Sequence, residues 1–142
     1  MERRRIAINI LIVEDHALFA EMLAVALGRA LASKLQKPGD FSSFAYATSI
    51  AEALQRLSAE RPFDLAVVDL ILPDGDGTTV VREIKRRSPG TPVAVLSASQ
   101  DLSKAMAAGA DEVIHKRARL AEIVASLARL LGIPTLPDPQ AD

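Results

Sequence analysis

Short apolar runs alternate along the chain with stretches whose apolar positions recur every three or four residues. The first run, Ile6 to Val13, predicts a strand. From Ala17 to about Leu35, Leu18, Met22, Val25 and the neighbouring leucines keep helical spacing. Lys37-Pro38-Gly39-Asp40 reads as a turn, and Phe44 to Ala47 as a weak second strand. Ser49-Ile50-Ala51-Glu52 has the form of a capping box and opens a helix ending near Glu60, before Pro62. Leu65 to Val68 is a third strand, apolar throughout. Thr78 to Arg87 is a helix stopped by Ser88-Pro89-Gly90, and Val93 to Leu96 is a fourth strand. A short helix from about Asp101 to Ala108 ends at Gly109, a natural residue just past a helix. Val113 and Ile114 form a short fifth strand. The last helix carries the apolar stripe Leu120, Ile123, Val124, Leu127, Leu130 and Leu131, and ends at Gly132.

Continuously apolar strands separated by helices predict an α/β domain, doubly wound, with a parallel sheet covered on both faces. The length of 142 residues suits one domain. That domain is expected over residues 1–132, with 133–142, which contains Pro134, Pro137 and Pro139, as a flexible tail. No linker to a second domain is read, so no effector domain is expected.

Composition narrows the chemistry. With 49% hydrophobic and 25% charged residues, the chain belongs among folded domains and not among disordered or collagen-like ones. Its net charge of −1 disfavours direct nucleic-acid binding, which draws on phosphate neutralisation. Cys 0 excludes disulfides, zinc–thiolate sites and a cysteine nucleophile. Arg3-Arg4-Arg5 before an apolar run superficially resembles a signal peptide, but Glu14 and Asp15 follow at once. No stretch is long and apolar enough for a membrane span, and a cytoplasmic protein is expected.

In open parallel sheets, ligands bind beyond the carboxyl ends of the strands. After the first strand come Glu14, Asp15 and His16; after the third, Asp69; after the fourth, Ser97; after the fifth, Lys116. The second offers only Thr48. Each acidic residue alone reads as a solvated edge or a helix cap, and Lys116, beside Arg117 and Arg119, as a surface charge. Together on one rim they read as a site. Gathered carboxylates are best neutralised by a hard cation such as magnesium, which prefers oxygen ligands. One carboxylate can then act as a nucleophile towards phosphorus, while the ammonium and hydroxyl meet the phosphoryl oxygens.

The chain resembles a response-regulator receiver domain of the stand-alone type, from about Ile6 to Leu131. The resemblance is carried by Ile10-Leu11-Ile12-Val13-Glu14-Asp15-His16, by Asp64-Leu65-Ala66-Val67-Val68-Asp69-Leu70 with Pro73 and Gly77, by Val95-Leu96-Ser97-Ala98, and by Gly109-Ala110-Asp111 leading to Lys116. It implies a flavodoxin-like sheet of order 2-1-3-4-5 and phosphorylation on Asp69. It implies magnesium held by Asp15 directly, by Glu14 through water, by Asp69 and by the backbone carbonyl of Ile71. It further implies Ser97 as the switch hydroxyl, Ala98 as the small residue leaving the phosphoryl group space, and Lys116 as its counter-charge. The implied partners are a histidine kinase or phosphotransfer protein as donor and an unidentified downstream protein, with a homodimer left open.

The chain departs from the family pattern in three places. Val113 stands where receivers usually carry an aromatic, Arg117 follows the lysine in place of proline, and the stretch from Ser97 to Gly109 reads about one helical turn short. The phosphate chemistry is therefore expected to be kept and the usual switching route to be altered. Asp74-Gly75-Asp76-Gly77-Thr78 resembles a calcium loop or a phosphatase motif but reads as a turn into the next helix. A magnesium-dependent phosphatase on the same scaffold would need a second aspartate two residues after Asp69, where Ile71 stands. A degenerate receiver that only binds partners would not need Asp69, Asp15 and Lys116 together. His16 reads as a neighbour of the site, and Lys85-Arg86-Arg87 as cations suited to a helix C-terminus.

Overall fold

The structure, a computed structural model, describes residues 5–98 and 102–133. The first apolar run forms β1 (Ala7–Val13), whose side chains divide between the two faces of the sheet. Ile8, Ile10 and Ile12 enter one buried cluster, while Leu11 and Val13 enter the other. A strand covered on both sides has no solvated face, which explains why the run reads as apolar without alternation. α1 (Ala17–Leu31) and α5 (Leu120–Leu130) close the first face with Leu23, Leu27, Leu31, Ile123 and Leu127. α2 (Ile50–Ala59), α3 (Thr78–Arg87) and α4 (Ser103–Ala108) close the second with Ala53, Val80, Val81, Ile84 and Ala105.

Between them β2 (Phe41–Ala47), β3 (Leu65–Asp69), β6 (Val93–Ser97) and β7 (Glu112–His115) flank β1 in parallel, in the order β2-β1-β3-β6-β7. Counting this sheet alone, the order is 2-1-3-4-5, as the resemblance implied. A separate antiparallel hairpin, β4 (Ile71–Leu72) with β5 (Gly75–Asp76), occupies the connection from β3 to α3. Among the described residues no helix is long and apolar enough to cross a membrane.

Several boundaries differ from the sequence expectation, each for a physical reason. β2 starts at Phe41 and not Phe44, because β1 pairs with it from Ala7↔Phe41 onward; Ser42 and Ser43 hide this strand from an apolar-run reading. α1 stops at Leu31, and a 3-10 turn over Ala32–Lys34 replaces its expected last turn to Leu35. β3 and β6 each run one residue further than expected, so Asp69 and Ser97 are the last residues of their strands. β7 is longer than Val113-Ile114 because its register pairs Glu112 with Ala94 and His115 with Ser97. α4 ends at Gly109, whose φ of 110° lies in the left-handed region that an L side chain avoids. The expected start of this helix near Asp101, and with it part of the shortened stretch, lies outside the described residues, as does the tail from residue 134.

The connection after β3 is closed by Gly77, whose N–H donates to the Leu70 carbonyl at 2.8 Å. A Cβ on Gly77 would sit 2.0 Å from the Asp69 carbonyl oxygen. The requirement is steric, since φ is an ordinary −61°. Gly77→Ala is therefore expected to cost about 1–3 kcal/mol by forcing the backbone apart. Gly90→Ala is the control: nothing lies within 4 Å of its added Cβ, and its effect is expected within about 0.5 kcal/mol. Urea unfolding of both variants measures the difference, and equal stabilities would contradict the steric account.

Candidate functional site

The topological switch point falls between β1 and β3, where the chain winds first to β2 and then back across the sheet. Register brings the ends of these strands level: Val13 pairs with Val68, so Glu14 and Asp69 leave the sheet side by side. Both are buried, at 2% and 5% exposure. Asp15 follows at the edge, half-buried. From β7, one residue past His115, Lys116 extends back over this acidic floor. Its Nζ stands 2.7 Å from Glu14 Oε1 and 2.8 Å from Asp69 Oδ2. The other Asp69 oxygen, Oδ1, accepts the Ile71 N–H at 3.2 Å.

These contacts set the electrostatics. Burial pushes the Glu14 carboxyl above its ordinary value; Lys116 pulls it down, and the neighbouring Asp69 carboxylate pushes it up again. Burial pulls the Lys116 ammonium down, but its hydrogen bonds to Asp69 and Glu14 outweigh this and hold it above the ordinary lysine range. One cation thus sits among three carboxylates, and negative charge remains in excess. The Asp15 Oδ1 atom is buried with no hydrogen-bond partner among the described residues. Ligand atoms from Glu14, Asp15, His16 and Asp69 all lie within 4.8 Å of one another. A buried carboxylate oxygen without a donor, in an oxygen-rich cluster of net negative charge, fits a hard divalent cation.

Of the residues singled out in the sequence, Glu14, Asp15, Asp69 and Lys116 are brought together in direct or near contact. Ser97 is buried at the end of β6, with its carbonyl accepting the Lys116 N–H at 2.9 Å, and Ala98 is exposed just beyond it on the rim. Ile71 stands outside the core, 72% exposed, at the start of the hairpin. Val113 pairs with Val95 and packs, half-buried, against the cluster under α3 and α4. His16 precedes α1; its Nδ1 is 3.6 Å from both Glu14 Oε2 and Asp15 Oδ1, and its side chain is 70% exposed.

The aspartates of the Asp74-to-Thr78 motif are committed elsewhere. Asp74 accepts the Ile50 and Ala51 N–H groups at 2.8 and 3.0 Å and so caps α2. Asp76 accepts the Thr78 N–H at 2.9 Å and pairs with Lys104 of α4. Both aspartates thus serve the turn and the helices beside it, as expected of a turn into α3. The capping box is also only half reciprocal. Ser49 accepts the Glu52 N–H at 3.1 Å, but Glu52 reaches back to Thr48, whose N–H donates at 2.8 Å.

Sequence reasoning missed two partners of the site. The Phe19 ring lies under Lys116, with Nζ 5.4 Å from its centroid, in cation–π range. Its position in the first turn of α1, at the rim end, was the available signal. The Asp76–Lys104 ion pair joins the hairpin after Asp69 to α4 across 28 residues, and no local pattern announces it.

The response regulator receiver domain family matches residues 10–128. The response regulator protein PilR of Pseudomonas aeruginosa is 38% identical over 126 residues, 84% of this chain and 26% of PilR. The chain spans from a quarter to just over half the length of the first curated relatives it matches. The non-phosphorylated HemR receiver domain of Leptospira biflexa superposes with a TM-score of 0.70 at 30% identity, covering 94% of this chain and 99% of that one. A Burkholderia pseudomallei response regulator, solved with a phosphorylated aspartic acid, calcium ion and citrate, gives a TM-score of 0.69 at 26% identity, covering 88% and 69%. Together with the sheet order and the acidic pocket at its switch point, these matches establish that the chain belongs to the response-regulator receiver domain family, the phospho-aspartate signalling modules of two-component systems.

Proposed function

We propose that Asp69 accepts a phosphoryl group from a histidine kinase or phosphotransfer protein, and that the chain signals through contacts with a downstream protein. The observation that carries this reading is the placement of Lys116 Nζ within 2.8 Å of Asp69 Oδ2 and 2.7 Å of Glu14 Oε1. An acid buried at a strand end, with an ammonium already beside it, is a nucleophile whose product charge is provided for in advance. In the transfer, an Asp69 carboxylate oxygen bonds to phosphorus, the phosphorus–nitrogen bond of the donor imidazole breaks, and that nitrogen retains the electron pair and takes up a proton. Lys116 turns from Glu14 towards the new phosphoryl oxygens. Ser97 and Ala98, at and just past the end of β6, would supply a hydroxyl donor to the phosphoryl group and a small side chain that leaves it room.

Glu14, Asp15, Asp69 and the Ile71 carbonyl are the groups that would hold Mg2+, which supplies neutralisation of the phosphoryl oxygens. Calcium accompanies the phosphorylated aspartic acid in the B. pseudomallei relative, which supports a hard divalent ion in this pocket. The phosphoryl group adds about −1.5 to −2 charge, and the response is a shift between conformations already in equilibrium. With Val113 at the position of the usual aromatic, that shift is read as passing through Ser97, the rim loops and the hairpin tied to α4, without ring rotation.

Incubation with radiolabelled acetyl phosphate and Mg2+ is expected to label the chain, and Asp69→Asn to abolish the label. Label persisting in that variant would overturn the assignment. A second outcome follows from the Glu14 carboxyl. Its folded-state pKa is raised, so the folded chain loses stability as pH rises through the carboxylate range. Without metal, Glu14→Gln is therefore expected to melt higher than the parent at neutral pH, with the gain shrinking below about pH 4. Adding Mg2+ is expected to raise the melting temperature of the parent more than that of the variant, which keeps Asp15, Asp69 and the Ile71 carbonyl as ligands. Calorimetry across pH checks both signs.

A further inference from the structure

His16 occupies the N-cap position of α1 without doing an N-cap's work. Its backbone is extended (φ −86°, ψ 97°), and its side chain makes no capping hydrogen bond. Ser, Thr, Asp or Asn would satisfy a free N–H of the first turn from that position. The imidazole turns back towards the acidic floor instead. Its Nδ1 stands 3.6 Å from Glu14 Oε2 and 3.6 Å from Asp15 Oδ1. Packing does not hold it there, since the ring is 70% exposed while the Glu14 side chain is fully buried.

The spacing decides what the ring can do. At 3.6 Å, each contact is longer than a sound hydrogen bond. It is nonetheless the spacing of two ligand atoms that share one small divalent ion, about 3–4 Å. The oxygens that the ring faces are the ones left over by the rest of the site. Glu14 turns its other oxygen, Oε1, to Lys116 at 2.7 Å. Asp15 Oδ1 is buried with no hydrogen-bond partner among the described residues. With Asp69 included, ligand atoms of all four residues lie within 4.8 Å of one another. Carboxylates alone suit a hard ion such as Mg2+, which keeps much of its water. An imidazole nitrogen added to the set shifts the preference towards Co2+, Ni2+ and Zn2+.

We infer that His16 is a metal ligand through Nδ1, and that it makes the pocket selective for a borderline divalent transition ion (Co2+, Ni2+ or Zn2+) over Mg2+. Glu14, Asp15 and Asp69 supply the negative charge that any divalent ion needs. His16 supplies the softer donor that chooses between ions. The inference rests on the reading of the acidic pocket as a cation site, and it does not depend on phosphoryl transfer to Asp69.

Titration calorimetry of the full chain with Mg2+ and with Co2+, joined to X-ray absorption at the cobalt edge, tests it. Co2+ is expected to bind about tenfold or more tighter than Mg2+. His16→Ala is expected to weaken Co2+ about tenfold, a loss seen even when an outer partner of a ligand is removed, and to leave Mg2+ nearly unchanged. His16→Gln, which returns an oxygen but no ring nitrogen, is expected to behave like His16→Ala. Imidazole scattering is expected in the cobalt spectrum of the parent and not of His16→Ala. The chain has 2 histidines, so His115→Ala completes the control. His115 Nδ1 already accepts the Arg117 N–H at 3.0 Å, and its removal is expected to change neither affinity nor spectrum. The His16 ring is exposed, and unchanged circular dichroism confirms that the fold is kept. Equal losses of Mg2+ and Co2+ in His16→Ala would overturn the inference, since the ring would then act on any cation alike. So would an oxygen-only spectrum in the parent, or imidazole scattering that survives in His16→Ala. Mg2+ binding with Co2+ no tighter would overturn it and leave the cation pocket standing, whereas failure of both ions to bind would overturn the pocket reading as well.

Discussion

Bringing Glu14, Asp15 and Asp69 to one end of a buried sheet is unfavourable, and much of the surrounding structure offsets that cost. Two of the three carboxylates are almost fully buried, where like charges repel most strongly and hydration is lost. Lys116 is held between Glu14 and Asp69 by the β6–β7 register, with the Phe19 ring beneath it. The Ile71 N–H meets the remaining Asp69 oxygen. The hairpin that supplies this N–H depends in turn on Gly77, which lets the chain pass against the Asp69 carbonyl. The negative charge left over after Lys116 is counted is what a hard cation and then a phosphoryl group would exploit.

The same arrangement suggests how occupancy of the site is felt elsewhere. Asp69 is the last residue of β3, and the hairpin begins two residues later. Through Asp74 that hairpin caps α2, and through Asp76 it pairs with Lys104 on α4. A change in how the Asp69 oxygens are occupied therefore bears on two helices through short covalent and ionic links. Val113 packs with the cluster under α3 and α4 and has no ring to swing between inward and outward positions. On the proposed reading, a phosphoryl group on Asp69 would act on the surface through the hairpin and Ser97.

Most of the fold was legible because both faces of the sheet are covered: each strand announces itself as an apolar run, and each intervening helix by its period. The strand ends were less legible, since Asp69 and Ser97 continue their strands as polar residues and look like loop. β2 was partly hidden because an edge strand tolerates Ser42 and Ser43. The site residues were legible as a set, because each follows a strand on the same rim, although none was compelling alone. What sequence order could not convey was long-range pairing such as Asp74 with Ile50 or Lys104 with Asp76. The helical period of Leu18, Met22 and Val25 was read correctly as helix, yet it marks the outer face and not the core. Periodicity locates an apolar stripe without saying which side of the helix is already covered.

The central claim is that burial and carboxylate crowding leave Glu14 charged at a cost, which the divalent ion relieves. Carbon-13 NMR of the Glu14 carboxyl, titrated with pH without and with Mg2+, measures this directly. The predicted result is a midpoint above the ordinary glutamate value in the metal-free chain that falls below that value when Mg2+ is bound. An ordinary midpoint in the metal-free chain, unmoved by Mg2+, would contradict the account.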